Sequence, residues 1–167
     1  DGSCDIIGVD VGATHVSVAR TDLRGTILQW TSQDHDVRED PDGTRALVKR
    51  LCAEVMDGVP RTRLVGIGIA LPGPVDPKHP ERFSPVAQPA WKGTHGFKPL
   101  LARYRVPVLI DNDANCATYG EWWLGAARGG TNVIGVTIGT GVGGGIIIDR
   151  QLYHGSSDAA GEIGHIT

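Results

Sequence analysis

The sequence is short of the residues that would place it in several common classes of protein. Its 167 residues include three cysteines, Cys4, Cys52 and Cys116, which are far apart and odd in number. Neither a disulfide framework nor a zinc knuckle is therefore expected, and a reducing cytoplasm is the natural location. No apolar run is long enough to span a bilayer, and the first residues lack the pattern of a secretory signal. These absences predict a cytoplasmic protein with no membrane partner.

Positive charge is also scarce. The 16 Lys and Arg residues are outnumbered by 19 Asp and Glu residues, which gives a formal net charge of −3 at pH 7. This balance argues against nucleic-acid binding through this segment. With 40% hydrophobic and 21% charged residues, the composition is that of a folded domain with a substantial core.

Glycine, in contrast, is abundant and unevenly spread. Five of the 24 glycines fall in residues 139–145, within the stretch NVIGVTIGTGVGGGIIID (132–149). Two β-branched runs joined in this way predict a hairpin whose tip exposes backbone N–H groups. Such a tip, with the Thr140 hydroxyl, can bind phosphate oxygens. The alternative is a turn at a sheet corner, where glycine only supplies positive φ.

The apolar periodicity predicts a mixed α/β sheet. The opening strands are expected to form an antiparallel meander, and two later strands are preceded by helices. We expect a first α/β lobe over residues 1–112 and the beginning of a second over 113–167. The predicted strands cover 6–11, 15–21, 26–31, 64–70 and 106–111, and the predicted helices 41–57, about 97–104 and 113 to about 124.

A second loop, DVGAT (10–14), lies between two predicted strands. Gly12 lets the chain approach a ligand, and Thr14 offers a hydroxyl group. A carboxylate such as Asp10 beside a phosphate loop is a natural ligand for Mg²⁺. The alternative is a tight hairpin in which Asp10 only favours the turn.

Two further segments carry polar side chains, one at the start of a predicted helix and one next to glycines. In the first, Asn112 and Asp113 follow a predicted strand and could merely cap a helix, or one carboxylate could serve as a general base. In the second, GEIGH (161–165), Glu162 could accept hydrogen bonds from sugar hydroxyls, and His165 could donate, accept or bind a metal. A single histidine is more often a satisfied structural residue.

Taken in order, these segments resemble the ROK family of bacterial sugar kinases and sugar-responsive repressors. The family has the actin-like ATPase fold, related to ribonuclease H, of sugar kinases and Hsp70-type proteins. The resemblance runs over nearly the whole chain. Its motifs are DVGAT (10–14), GIALPGPVD (68–76), DNDAN (111–115), GEWWLGA (120–126), GTGVGGG (139–145) and GEIGH (161–165).

The resemblance implies ATP-dependent phosphorylation of a hexose or an amino sugar, in the manner of a glucokinase, with ATP and Mg²⁺. Asp113 would be the base that deprotonates the sugar hydroxyl, and Asp10 would lie near the Mg²⁺. The remaining implied phosphate-binding residues are Gly12, Thr14, Gly139, Thr140, Gly141 and Gly143, and the implied sugar-binding residues are Gly73, Asn112, Asp113, Glu162 and His165.

The sequence departs from the family pattern in two places within the chain. His15 stands where Lys or Asn is usual, a variation that leans toward the repressors. Gln88 stands near the position of an Asn that touches the sugar, so that contact depends on whether Gln88 substitutes for it.

The third departure is the end of the sequence. The family's cysteine-rich zinc motif and its adenosine-binding parts would lie beyond Thr167, so His165 has no partner ligands and zinc is expected only in the full-length parent. We therefore expect an N-terminal portion that has little kinase activity alone. The alternatives are the sugar-sensing domain of a ROK repressor and an inert fragment; dimers are implied for the parent.

Overall fold

The computed structural model describes residues 3–76, 78–83, 88–156 and 159–165. Within these ranges the chain forms eight strands and three α-helices. In chain order they are β1 (Asp5–Val11), β2 (His15–Asp22), β3 (Ile27–Asp34), α1 (Pro41–Val55), β4 (Leu64–Leu71), α2 (Phe97–Leu101), β5 (Val108–Asn112), α3 (Asp113–Trp123), β6 (Val133–Ile138), β7 (Val142–Ile148) and β8 (Gln151–Leu152).

The first sheet has five strands in the order β3-β2-β1-β4-β5. Strands β1, β2 and β3 pair antiparallel, which confirms the predicted meander, and β1, β4 and β5 run parallel. Asp10 pairs with Ala70, and Ala70 pairs with Asp111, so the two aspartates lie in one row across three strands. The carboxyl ends of the parallel strands therefore meet at one edge of the sheet, where open α/β sheets bind ligands.

Helix α1 covers one face of this sheet. Its first turn is capped by Asp40, whose Oδ1 accepts a hydrogen bond from Gly43 N at 2.9 Å, and Pro41 follows the cap. The apolar stripe of Leu47, Leu51 and Val55 is buried, as the spacing predicts. The helix ends two residues earlier than expected, because a left-handed glycine (Gly58, φ +68°) soon follows it.

The second predicted helix of this unit is shorter than expected. It divides into α2 and a 3₁₀ turn over Ala102–Tyr104, and Arg105, with φ +57°, ends the turn. Strand β5 begins at Val108 rather than 106, because Pro107 has no N–H to donate to the ladder. The Pro107 carbonyl still accepts a hydrogen bond from Ile67 N at 3.0 Å, so the chain already lies against β4 there.

A buried ion cluster closes the amino-terminal end of β1. Asp5 is fully buried and accepts hydrogen bonds from Arg20 Nη1 at 2.8 Å and Arg63 Nη2 at 2.8 Å. The Arg63 hydrogen bond is the largest cause that holds the pKa of the Asp5 carboxyl below its ordinary value; burial opposes it. The cluster ties β1 to β2 and to the chain that enters β4.

The second sheet is antiparallel, in the order β6-β7-β8. Helix α3 follows β5 directly and packs across β6 and β7. A Cβ atom on Gly145 would lie 2.4 Å from Thr118 Oγ1 and 2.9 Å from the Ala114 carbonyl oxygen. The helix and the sheet therefore meet through glycine. Across the described ranges, no helix combines the length and the apolar character that a membrane span requires.

Candidate functional site

The first phosphate-type loop follows β1 directly. Asp10 is the next-to-last residue of the strand, and Gly12 N donates a hydrogen bond to the His15 carbonyl oxygen at 3.0 Å. The His15 ring packs so closely on Gly12 that a Cβ atom there would lie 2.5 Å from His15 Cε1. His15 Nε2 is 3.2 Å from Asp10 Oδ2. The unusual histidine therefore lies against the carboxylate that the resemblance places near Mg²⁺.

The second loop is the tip of the β6–β7 hairpin. Gly139 N donates to the Gly141 carbonyl oxygen at 2.9 Å, and Thr140 is exposed between them. Neither glycine has a positive φ, and a Cβ atom on either would meet nothing within 4 Å. Backbone conformation and packing within the described residues therefore explain neither glycine. A ligand that approaches the bare backbone would explain both.

The remaining glycines of the run are explained by close packing. A Cβ atom on Gly143 would lie 2.8 Å from Thr137 Oγ1, and one on Gly144 would lie 2.8 Å from the Gly161 carbonyl oxygen. These residues allow the hairpin to pack on α3 and on the segment that contains Glu162. The glycine-rich run thus divides into an open tip and a packed base, and Gly143 belongs to the base.

The two loops line one open cavity of about 650 Å³, although more than 120 residues separate them in the sequence. Thr14 and Thr140 lie on it together. The connection between β3 and α1 forms another wall. The lining residues there are Asp34, which ends β3, and His35, Asp36, Arg38 and Glu39 of the connection. Asp10 itself lines a separate, mostly apolar cavity of about 1000 Å³ over the first sheet, together with Asp111.

Asp113 begins α3, and its Oδ1 accepts hydrogen bonds from Ala114 N at 2.8 Å and Asn112 Nδ2 at 3.1 Å. Burial raises the pKa of this carboxyl above its ordinary value, and the negative charge of Asp10 raises it further; the two hydrogen bonds oppose the rise. Asp10 and Asp113 both lie at the carboxyl edge of the first sheet.

Asn112 links three of the predicted residues. Its Oδ1 accepts a hydrogen bond from Asn115 N at 3.0 Å and so caps α3, as the default reading of the sequence expects. Its Nδ2 donates to the Gly73 carbonyl oxygen at 3.0 Å and to Asp113 Oδ1. Gly73 has φ +94°, a conformation that favours glycine, and open space around its Cα. The structure thus brings Gly73, Asn112 and Asp113 together.

Glu162 shares a small cavity with Asn112. Its segment is held against β7, since a Cβ atom on Gly161 would lie 1.9 Å from the Gly144 carbonyl oxygen. The side chain of His165 lies outside the described part of the structure. Among the side chains that are described, no three from His, Cys, Asp and Glu are grouped as a metal site.

Sequence reasoning missed His154, which follows β8 and lines this cavity. Its Nε2 is 2.9 Å from Asp111 Oδ2. A histidine beside Gly155 in an otherwise small and polar segment was the available signal. Gln88 is 4% exposed, and within the described residues its Oε1 has no hydrogen-bond partner; its neighbours Val86 and Ala87 lie outside them.

Comparison with known proteins assigns these features to one family. The model of the family described as the ROK family matches residues 6–167. The chain is 36% identical over 163 residues to the xylose repressor of Bacillus subtilis (strain 168), covering 96% of this chain and 42% of the repressor. It is also 36% identical over 166 residues to the glucokinase of Halalkalibacterium halodurans, covering 96% of this chain and 49% of that protein.

Solved structures agree. A ROK family glucokinase from Streptomyces griseus, in complex with glucose and AMPPNP, aligns with a TM-score of 0.80 and 33% identity, over 97% of this chain and 50% of that one. The ROK hexokinase from Thermus thermophilus aligns with a TM-score of 0.77 and 27% identity, over 98% and 52%. These likenesses confirm the predicted actin-like ATPase fold. The chain spans about half the length of the relatives it matches.

Proposed function

Because the chain belongs to the ROK family, we propose that it carries the sugar- and phosphate-binding machinery of an ATP-dependent sugar kinase that acts on a hexose or an amino sugar. The observation that carries the proposal is the shared cavity of Thr14 and Thr140. Asp10, near the end of β1, and Asp113, directly after β5, lie at the same carboxyl edge of the first sheet. The similarity to glucokinases supports the same assignment. Phosphoryl transfer depends mainly on positioning and charge neutralisation, which such loops supply.

Asp113 is the proposed general base. It accepts the proton of the attacking sugar hydroxyl, and its raised pKa brings its basicity closer to that of an efficient proton acceptor near neutral pH. Gly73, Asn112 and Glu162 would orient the sugar around it. Among the described residues, Gln88 Oε1 has no hydrogen-bond partner. It is therefore a candidate for the contact with a sugar hydroxyl that the family makes through Asn.

The phosphate groups would bind to the open hairpin tip, through Gly139, Thr140 and Gly141, and to the first loop through Thr14. Gly12, whose N–H donates to the His15 carbonyl oxygen, would shape that loop. Gly143 would support the tip through its packing on α3. The half-exposed carboxylate of Asp10 fits one ligand of Mg²⁺, whose other ligands would be phosphate oxygens and water. Bound Mg²⁺ would neutralise phosphate charge. No step of the proposal involves zinc.

The proposed division into lobes falls between Asn112 and Asp113. Residues 1–112 supply the first loop and the Gly73 turn, whereas 113–167 supply the base, the hairpin tip and Glu162. Closure of one lobe on the other would exclude water, which otherwise competes for the phosphoryl group.

A sugar-sensing domain of a ROK repressor is the second candidate. The contact between His15 and Asp10 favours it, because the histidine lies on the carboxylate that a kinase would offer to Mg²⁺. The similarity to the xylose repressor supports it equally. In that case the bound sugar shifts a conformational equilibrium and does not react.

A coupled ADP-release assay of the full-length protein separates the two candidates. It would be run with Mg-ATP against a panel of hexoses and N-acetylated amino sugars, alongside calorimetric titration of the same sugars. The kinase predicts ADP release that depends on one or a few of them. A sugar that binds without ADP release would reject the kinase, and a helix-turn-helix segment in the full gene product would then identify the repressor.

A further inference from the structure

His154 occupies a position that the proposed roles do not explain. It lies in the segment after β8, and the preceding residue anchors that segment to the second sheet, since Tyr153 N donates to the Ile146 carbonyl oxygen at 2.8 Å. His154 Nε2 is 2.9 Å from Asp111 Oδ2, on the next-to-last residue of β5 in the first sheet. The side chains are 30% and 28% exposed. The hydrogen bond therefore joins the two sheets in a largely sheltered place.

Asp111 also binds the segment that contains the proposed base, Asp113. Its other oxygen, Oδ1, accepts hydrogen bonds from Asn112 N at 2.7 Å and from Asn115 Nδ2 at 3.0 Å. The carboxylate is thus held by His154 on one side and holds the Asn112 backbone on the other. A rotation of the carboxylate would disturb both bonds to the turn, because all three share one planar group.

Helix capping does not account for the arrangement. The first turn of α3 is already capped by Asn112, whose Oδ1 accepts from Asn115 N. His154 also lines the small cavity that Asn112 and Glu162 share. The contact between His154 and Asp111 therefore lies next to the proposed sugar-binding residues Asn112 and Glu162.

We propose that His154 is a positioning residue that acts through Asp111 to fix the Asn112–Asp113 turn for sugar binding and proton transfer. This inference rests on the proposed sugar-kinase function for its consequence, and on the hydrogen bonds alone for its structural part. Small displacements of a positioned group cost catalysis heavily, of order 100-fold for about 1 Å.

The first test is structural and needs no sugar. Backbone amide NMR signals of residues 111–115 would be compared between the 167-residue chain and its His154→Leu and His154→Gln variants. The leucine variant removes the ring nitrogen and should shift these signals, whereas glutamine, which can still donate to Asp111, should largely preserve them. His79→Leu, which changes an exposed histidine elsewhere, is the control. Unchanged signals in His154→Leu would overturn the proposal.

The second test measures function in the full-length protein with its best sugar. His154→Leu should lower kcat/KM for the sugar by about 100-fold and leave KM for ATP nearly unchanged, and His154→Gln should restore most of the loss. A lowered melting temperature with unchanged kcat/KM would show a merely structural role and reject the proposal. If the wild-type protein neither binds nor phosphorylates any sugar, the proposed function fails, and the amide signals alone decide whether His154 orders the turn.

Discussion

The two sheets of this protein are stabilised in different ways. The first is filled by branched side chains, with Ile7, Val9, Ile67 and Ile69 nearly or fully buried beneath α1 and its neighbours. The second meets α3 through glycines, and Ile134, Val136 and Ile138 of β6 remain 71%, 54% and 85% exposed on its other face. The first sheet therefore depends on buried volume, and the second on close approach of backbones.

The candidate site combines these two kinds of structure. The first sheet supplies Asp10 near the end of β1 and Thr14 from the loop between β1 and β2. The second supplies Thr140 and Glu162 from segments next to glycines that pack closely. Asp113 stands between them, at the start of the helix that leaves one sheet and packs on the other. Substitutions in the first sheet, in the second sheet and at the junction should therefore have different effects on activity and stability, which the following experiments compare.

The largest expected effect is at the junction itself. In the full-length protein, Asp113→Asn should lower kcat by about 10²–10⁴-fold, because the amide cannot accept the hydroxyl proton. Sugar binding, measured by calorimetry, should largely survive. Asp149→Asn, at an exposed turn of the second sheet, is the matched control and should keep full activity. An unchanged rate in Asp113→Asn would remove this residue from the role of base.

The next largest effect concerns the first sheet. Asp5→Asn should lower the free energy of unfolding by about 3–5 kcal/mol at pH 7, because it leaves Arg20 and Arg63 without their buried partner. Urea unfolding measures it, with the exposed Asp57→Asn as control.

The pH dependence of that difference gives a second check. The pKa of Asp5 is lowered on folding, so its contribution is fully present above the unfolded value of about 3.9 and is lost as pH falls through the folded pKa. The gap between wild type and variant should therefore shrink below about pH 4. A gap that does not change with pH would contradict the ion-pair explanation.

A smaller effect is expected in the second sheet, where the substitution adds volume to a tight contact instead of removing a buried charge. Gly145→Ala adds one methyl group where Thr118 and the Ala114 carbonyl leave no room, and should destabilise the chain by about 1–3 kcal/mol. Gly8→Ala in the first sheet adds the same group where nothing lies within 4 Å, and should be nearly neutral. Thermal unfolding compares the two; equal effects would contradict the distinction between the sheets.

The smallest effect tests the electrostatic link between the two regions. Because the Asp10 charge helps to raise the pKa of Asp113, Asp10→Asn should move the titration of the Asp113 carboxyl to lower pH. Carbon-detected NMR of the 167-residue chain follows that carboxyl without requiring activity. A kinase with this base loses kcat/KM as pH falls through the Asp113 pKa, since the protonated carboxyl accepts no proton. If Asp10→Asn left the titration of Asp113 unchanged, the charge of Asp10 would not contribute to the raised pKa of Asp113.

Local pattern was sufficient for most of the elements but not for their ends. The stripe of Leu47, Leu51 and Val55 predicts α1, and the β-branched runs predict the hairpin, because both signals lie within a few residues. The start of β5 differs from the prediction because apolar periodicity takes no account of the missing N–H of Pro107, which keeps that residue out of the ladder.

By itself, the amino-acid sequence determined the family, the strand order of the opening meander and the positions of the DVGAT and GTGVGGG segments, since each of these motifs is written in contiguous residues. Only the tertiary structure decided that Thr14 and Thr140 line one cavity, that Gly143–Gly145 are packed while Gly139 and Gly141 are open, and that His154 reaches Asp111. The physical reason is that these relations are distances across separate elements. They are set by how two sheets and one helix pack, and not by the spacing of residues along the chain.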